Sequence, residues 1–323
     1  MIDLLGRTID YARISVTDKC NLRCRYCMPE QGVELLSHED LLTFEEIQRV
    51  AACFSRLGIH TLRVTGGEPM ARRGCLDLIR MLKETEGIRR VTMTSNGILL
   101  RGRVAEAKAA GLDGLNLSID ALTPEVYAAV TRCGDVRDVL AVIQEAVDLG
   151  LPLRLNAVPL RGVNEKELTG LAALARDLPV DVRFIELMPV GCGASQAGIP
   201  VAEVRKMLEA AFGPLQPDEA PHGAGPAVYG KPAGFKGSIG LIAAVSNAFC
   251  GRCNRIRLTP EGRLKLCLNR SAGEDLRAMM RAGCTDEELT ETLRREILQK
   301  PPHHGFGENI PDRDARKMSQ IGG

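Results

Sequence analysis

Residues 11–27 read YARISVTDKCNLRCRYC. The run from Tyr11 to Val16 alternates and carries β-branched residues, so it reads as a strand. It leads into a loop with three cysteines, Cys20, Cys24 and Cys27, spaced C-x3-C-x2-C. A structural zinc site closes with four Cys or His ligands. The next such residue, His38, lies well past a Pro-Glu-Gln-Gly turn. Three thiolates suit a [4Fe–4S] cluster better, and they leave one iron open to a small chelate with an amine and a carboxylate. A zinc loop borrowing a distant ligand is the competing reading.

This strand is the first of a series. TLRVT from Thr61, VTMT from Val91, GLNLSI from Gly114, LRLNAV from Leu153 and VRFIEL from Val182 follow at regular intervals. Helical patterns lie between them. In TFEEIQRVAACFSRLG, Thr43 and Glu46 form a capping box and Gly58 ends the helix. In VRDVLAVIQEAVDLG the apolar spacing is helical and Gly150 is the stop. Six βα units predict an α/β fold with a parallel sheet. They fall short of the eight that close a full barrel, so the expectation is a partial, TIM-like (β/α)6 barrel over residues 1–190.

The texture changes after Pro189. GCGASQAGIP and PHGAGPAVYGKPAGFKG are Gly/Pro-rich loops. Two alternating, hairpin-like runs follow, SIGLIAAVS and NRIRLTPEGRLKLCL, then helical segments from about Asp275 to Lys300 and a tail ending Gly322-Gly323. Residues 191–323 read as a smaller C-terminal α+β module.

A second set of cysteines, Cys250, Cys253 and Cys267, is spaced CxxC-x13-C and also stops at three. A zinc knuckle in a hairpin competes for this set. His222 lies too far upstream to be an obvious fourth ligand, and His303-His304 read as an exposed loop. Cys53, Cys75, Cys133, Cys192 and Cys284 are isolated and read mostly as small core or surface residues.

Composition bounds the function. Lys+Arg 42 against Asp+Glu 41 gives a formal charge of +1, with no global field for nucleic acid or an anionic membrane. Aromatics are 3% with no Trp, which disfavours a base-stacking platform. No apolar run approaches the ~18 residues of a spanning helix, and the N-terminus lacks the apolar region of a signal peptide. A cytoplasmic protein is expected, in which eleven cysteines point to metal rather than disulfides.

Charge is nevertheless placed where a parallel sheet should be apolar. Arg13, Arg63, Arg154 and Arg183 fall within predicted strands, Arg255 and Arg257 share one strand face, and Thr94 stands at a strand end. Glu68, Asp120 and Glu186 could neutralise some as structural ion pairs. Three acids against six arginines leave positive charge over, and an anionic ligand in the lumen is the more economical reading. GPAVYGKP, from Gly225 to Pro232, nearly matches a P-loop, but Pro232 replaces its Ser/Thr and no strand–helix context surrounds it.

The loop CNLRCRYC followed by MPE resembles the signature of the radical S-adenosylmethionine (SAM) superfamily. With TGGEP, TSNG, FCGRCNRIRLT, LKLCL and the terminal GG, the chain from Asp10 to Gly323 resembles the GTP 3′,8-cyclase family, the lyases that open molybdenum-cofactor biosynthesis. That resemblance implies two [4Fe–4S] clusters on the two cysteine sets, with SAM on the open iron of the first and the guanine of GTP on that of the second. It implies SAM contacts at Tyr26, Gly67 in the GGE turn, Ser118 and Met188. It implies GTP contacts at Arg13, Arg63, Thr94, Arg154, Arg255, Ile256 and Arg257, with Arg183, Gly322 and Gly323 as second-rank catalytic candidates. Position 154 is usually Lys in the family, so Arg154 departs from it. The implied partners are a one-electron donor of flavodoxin or ferredoxin type, a downstream cyclic pyranopterin monophosphate synthase and a second copy in a homodimer. A peptide-modifying radical maturase and a zinc-stabilised binding protein are the rival readings.

Overall fold

The computed structural model describes residues 1–246, 249–271 and 273–322. Six strands follow in chain order: β1 (Tyr11–Ser15), β2 (Thr61–Thr65), β3 (Arg90–Ser95), β4 (Leu115–Ser118), β5 (Leu153–Ala157) and β6 (Asp181–Ile185). Each pairs in parallel with the next. The intervening helices are α1 (Phe44–Arg56), α2 (Cys75–Glu84), α3 (Val104–Ala109), α4 (Pro124–Thr131), α5 (Val136–Asp148) and α6 (Leu168–Asp177). α1 starts where the sequence places its cap: Thr43 Oγ1 accepts from Glu46 N, and the Glu46 carboxylate accepts from Thr43 N. Gly58 and Gly150 follow α1 and α5 at φ +84° and +63°, a region that favours glycine.

The segment after residue 190 begins with α7 (Val201–Phe212) and continues with β7 (Gln216–Pro217), β8 (Val228–Lys231), β9 (Ile239–Ile242), β10 (Arg255–Leu258) and β11 (Leu264–Lys265). α8 (Leu276–Arg281), α9 (Asp286–Leu298) and α10 (Met318–Ile321) complete it. These strands extend the parallel sheet at both edges, giving the order β11-β10-β1-β2-β3-β4-β5-β6-β9-β8-β7. NRIRLTPEGRLKLCL does form the antiparallel β10–β11 pair. SIGLIAAVS supplies β9, which pairs in parallel with β6 and antiparallel with β8 rather than folding back on itself. The sheet is an open, partial barrel.

One face of the six strands packs the core. Ala12, Ile14, Leu62, Val64, Met93, Leu117, Leu155 and Phe184 are buried against helices, among them Ile47, Val50 and Phe54 of α1. The opposite face lines the lumen, because side chains alternate along a strand. No helix among the described residues is long and apolar enough to cross a membrane.

Candidate active site in the barrel lumen

The first cysteine loop leaves the C-terminal end of β1 and is tied on several sides. Cys27 N and Met28 N donate to Cys24 O at 2.8 and 3.1 Å, closing a tight turn around the last two cysteines. Arg23 N and Arg25 N donate to Thr131 O and Val130 O at the end of α4, each at 3.0 Å. Asn96, just past β3, donates to Asn21 Oδ1 at 2.8 Å and to Cys20 Sγ at 3.9 Å. The three thiols lie within electrostatic reach of one another. Burial, then the backbone and charges around it, leave Cys20 at about 11. Burial pushes Cys24 well up, with Asp120 and the thiols of Cys27 and Cys20 adding to it, and lifts Cys27 to about 12.

The residues implied for SAM gather at the same end of the sheet. Gly66 and Gly67 are glycines because the β1 loop lies on them: a Cβ would come within 2.6 Å of Thr17 O and 2.4 Å of Lys19 O. Glu68 turns inward, its carboxylate accepting from Met70 N, Ser95 Oγ and Asn96 N at 2.8–3.0 Å. Burial raises it to about 7 against those donors. Tyr26 donates its phenol to Asp120 Oδ2 at 2.8 Å, and Asp120 Oδ1 accepts from Val158 N. Ser118 ends β4 opposite Asn156. Met188 packs on Val190, Leu268 and Ile321, so the chain's tail shares its surroundings.

Strand register aligns the basic residues. Arg257, Arg13, Arg63 and Thr92 form one row across β10, β1, β2 and β3. Thr94, Asn116, Arg154 and Asp181 form a second across β3 to β6. Ser118, Asn156, Arg183 and Gly240 form a third across β4, β5, β6 and β9. Burial lowers Arg13 well below the ordinary arginine range, and the cations Arg257, Arg63 and Arg255 deepen the effect. Burial likewise lowers Arg183 and Arg257, each to about 10. Arg183 is braced by Asn156 Oδ1 at 2.9 Å and Asn116 Oδ1 at 2.5 Å. Arg63 donates to Thr92 Oγ1 at 3.3 Å and lies over the Tyr11 ring.

The three acids that sequence offers as neutralising partners are spent elsewhere. Glu68 and Asp120 hold the loops just described. Glu186 accepts from Val201 N, Val245 N and Ser246 N and Oγ. Among the described residues Asp181 is a carboxylate near the set, 3.6 Å from Arg154 Nε. It also meets His222 Nδ1 at 3.0 Å, while His222 Nε2 lies 3.2 Å from Asp218 and the ring stacks on Tyr229. The loop carrying His222 thus lies across the lumen at the N-terminal strand ends, with Gly223 against Arg154 and Gly225 against Arg183. The Tyr11 hydroxyl, Thr94 Oγ1 and Arg154 Nε are buried here without a hydrogen-bond partner among the described residues. Unpaired buried polar groups beside surplus positive charge fit a polyanionic ligand.

The second set sits at the opposite end of the lumen. Cys253 precedes Arg255, which pairs with Tyr11 at the N-terminal end of β1. Antiparallel pairing of Arg257 with Lys265 carries the chain back, so Cys267, two residues further, returns to the level of Arg255. Cys250 lies in electrostatic reach of Cys253 and Cys267. Burial pushes Cys253 up, but Lys300 and Arg255 outweigh it and bring the thiol to about 7. Among the described residues no three His, Cys, Asp or Glu side chains close on a single ion. Three neighbouring thiols, one of them brought to about 7, are a donor set of the kind that holds an iron–sulfur cluster. Phe249 lies beneath Arg255, whose Cζ is 4.6 Å from the ring centroid. The Ile256 side chain points into the core, leaving only its backbone for the lumen.

The tail is tucked in rather than frayed. Ser319 and Ile321 are buried, and Gly322 O accepts from Arg257 Nη1 at 3.1 Å. Gly322, at φ +74°, lies against Ser15, where a Cβ would meet Ser15 Cβ at 2.7 Å. Gly323 lies outside the described residues. Three residues read as isolated or exposed sit beside the sites. Cys192 and Cys133 lie in electrostatic reach of Cys27 and Cys24, and the His304 backbone N–H faces the Cys250 thiol. Cys53 and Cys75 are core residues, as their spacing suggests.

The family described as the Radical SAM superfamily matches residues 14–175, and Molybdenum Cofactor Synthesis C matches residues 180–306. A barrel with the first cysteine loop at the end of β1 thus defines a radical SAM protein. The chain is 43% identical to a GTP 3′,8-cyclase of Pelotomaculum thermopropionicum over 327 residues, and 44% identical to one of Heliobacterium modesticaldum over 328, covering 100% of both chains in each case. It belongs to the GTP 3′,8-cyclase family. Among solved structures it is similar in fold to Streptococcus suis SuiB bound to S-adenosylmethionine, with TM-score 0.64 and 13% identity over 94% of this chain and 68% of that one.

Proposed function

We propose that this chain converts GTP to its 3′,8-cyclised dihydro form, with SAM and two [4Fe–4S] clusters as cofactors. One observation carries the reading: two three-cysteine sets lie at opposite ends of one lumen, and six arginines stand between them. In this reading Cys20, Cys24 and Cys27 hold the first cluster, and Tyr26, Gly67, Ser118 and Met188 border the SAM beside it. Cys250, Cys253 and Cys267 hold the second cluster. Cys20, Cys24 and Cys27 would thus hold the group whose reduction, with SAM beside it, would supply a 5′-deoxyadenosyl radical.

The chain's own residues supply placement. Arg13, Arg63, Arg257 and Arg255 line one side of the lumen and Arg154 the other, so a triphosphate laid between them is charge-compensated from both. Thr94 Oγ1 offers a donor without a hydrogen-bond partner among the described residues, and Arg154 Nε is held only by the 3.6 Å approach of Asp181 among them. The Gly322 carbonyl on Arg257 orients that guanidinium, and Arg183, braced by two asparagines, is fixed before ligand arrives. The loop of His222 lies against Arg154 and Arg183, and the tail lies against Ser15 at the other end of β1.

We also assign residues 1–190 to a radical SAM partial barrel that carries the first cluster, and residues 191–323 to a C-terminal module that carries the second cluster and adds Arg255, Ile256 and Arg257 to the GTP contacts. An external one-electron donor and a downstream cyclic pyranopterin monophosphate synthase complete the reaction sequence, and a homodimer is the proposed assembly. The test is anaerobic turnover of the reconstituted chain with dithionite, SAM and each nucleoside triphosphate in turn. GTP alone should stimulate 5′-deoxyadenosine formation and yield the cyclised product; equal stimulation by ATP or CTP would remove the substrate assignment.

A further inference from the structure

Among the described residues Arg132 is the one non-glycine residue with positive φ, at +61°. It caps the C-terminus of α4 in the left-handed region, where glycine or asparagine would sit with less strain. Its guanidinium leaves its own helix. Nη1 donates to Arg23 O at 2.8 Å and to Met28 O at 3.1 Å, the carbonyls that flank Cys24 and Cys27. The residues around it bind the same loop. Val130 O and Thr131 O accept from Arg25 N and Arg23 N. Cys133 Sγ donates to Asn21 O at 3.4 Å. Gly134 lacks a Cβ where one would lie 2.7 Å from Leu22 Cδ2, and Leu22 is buried there.

A cation at a helix C-terminus is favourable in any ordinary conformation. That role does not explain two bonds to carbonyls more than a hundred residues away, made from a strained backbone. We propose that Arg132 is a positioning residue for the first cysteine loop, bridging the backbone on both sides of Cys24 and Cys27 so that the three thiols keep their relative places. Asn96 holds the Cys20 side of the same loop and the end of α4 holds Arg23 and Arg25, so loss of Arg132 loosens the loop without detaching it. The inference rests on the assignment of Cys20, Cys24 and Cys27 to the first cluster.

The test compares Arg132→Gly, Arg132→Asn and Arg132→Lys in the full chain. Glycine and asparagine keep the left-handed backbone without the guanidinium, and lysine keeps a single donor group. Hydrogen exchange of residues 21–28 is followed before and after cluster reconstitution. The electron paramagnetic resonance signal of the reduced first cluster is recorded with and without SAM, in a background carrying Cys250→Ala, Cys253→Ala and Cys267→Ala. In the Gly and Asn variants, residues 21–28 should exchange at least tenfold faster, exchange elsewhere should be unchanged, and the SAM-induced spectral change should shrink. Lysine should restore part of both. Wild-type exchange in residues 21–28 and a wild-type SAM response in the Gly and Asn variants would overturn the proposal, as would general unfolding of both. A wild-type chain that takes up no first cluster would instead sink the cysteine assignment; the exchange contrast, read without cluster, is independent of it.

Discussion

Arg13 and Arg63 occupy the same register position on adjacent parallel strands, both on the lumen side. Burial and mutual repulsion work against their charge. Such a pair becomes an asset once an anion lies between its members. Replacing Arg63 by Met keeps the bulk of the side chain and removes one charge. GTP affinity, measured by calorimetry, should fall at least about tenfold, about 1.4 kcal/mol. Thermal unfolding without ligand should be unchanged or raised. Undiminished GTP binding would mean that the register row serves the fold instead.

The two cysteine sets stand at opposite strand ends, so they should be separable. Cys250→Ala should lower iron from about eight to about four atoms per chain, with a [4Fe–4S] cluster left on the first set. SAM cleavage should persist at a low, GTP-independent rate while the cyclised product disappears. Loss of all iron would contradict two independent sites. Zinc in place of iron, without broad absorbance near about 400 nm, would remove the cluster reading altogether.

Asp314 ties the tail to the sheet. It pairs with the fully buried Lys265 of β11 and with Arg316 at 3.0 Å. Burial pushes its carboxyl up, but hydrogen bonds from Arg316 and Lys265 outweigh this and hold it at about 2. An unfolded Asp titrates near 3.9. The folded chain therefore binds this proton less readily, and the stabilisation is present above about pH 4 and lost between about pH 4 and pH 2. The shift corresponds to about 2 kcal/mol. Asp314→Asn should flatten the acid limb of the stability curve there. It should also destabilise the chain at neutral pH by about 3 kcal/mol, because Lys265 is left buried without its partner. Chemical denaturation from pH 2 to pH 7 checks both, and parallel wild-type and variant curves would refute the assignment.

Gly322 has no room for a side chain. Gly322→Val adds a Cβ that meets Ser15 and imposes a β-branched residue at φ +74°. The carbonyl on Arg257 should be displaced by about an ångström or more, enough to lower cyclisation roughly 100-fold. Iron content should stay at the wild-type level. Wild-type turnover in this variant would show that the tail is packing alone.

Much of this was legible in the chain. The six parallel strands are short apolar runs bounded by turn residues, and Thr43 with Glu46 announced α1 before any tertiary contact was known. The lumen announced itself as arginine where a buried strand should carry valine. The partners of those arginines were not legible. Glu68, Asp120 and Glu186 each had a plausible ion pair by sequence, yet each caps backbone N–H groups or braces a side chain, and only folding decides which donors arrive. The placement of β10 on β1 and of β9 on β6 was hidden too, because pairing between strands distant in sequence leaves no local pattern. Arg132 gave no signal, since positive φ is expected of glycine and asparagine. Cys133 and Cys192 looked isolated because their neighbours are distant in sequence.

The central claim is that GTP lies between the two cysteine sets with its ribose toward the first. The most direct measurement is single turnover of the reconstituted chain with GTP carrying deuterium at C3′, followed by mass spectrometry of the 5′-deoxyadenosine formed. One deuterium should transfer to 5′-deoxyadenosine, in step with the cyclised product. Unlabelled 5′-deoxyadenosine accompanying cyclised product would contradict the account.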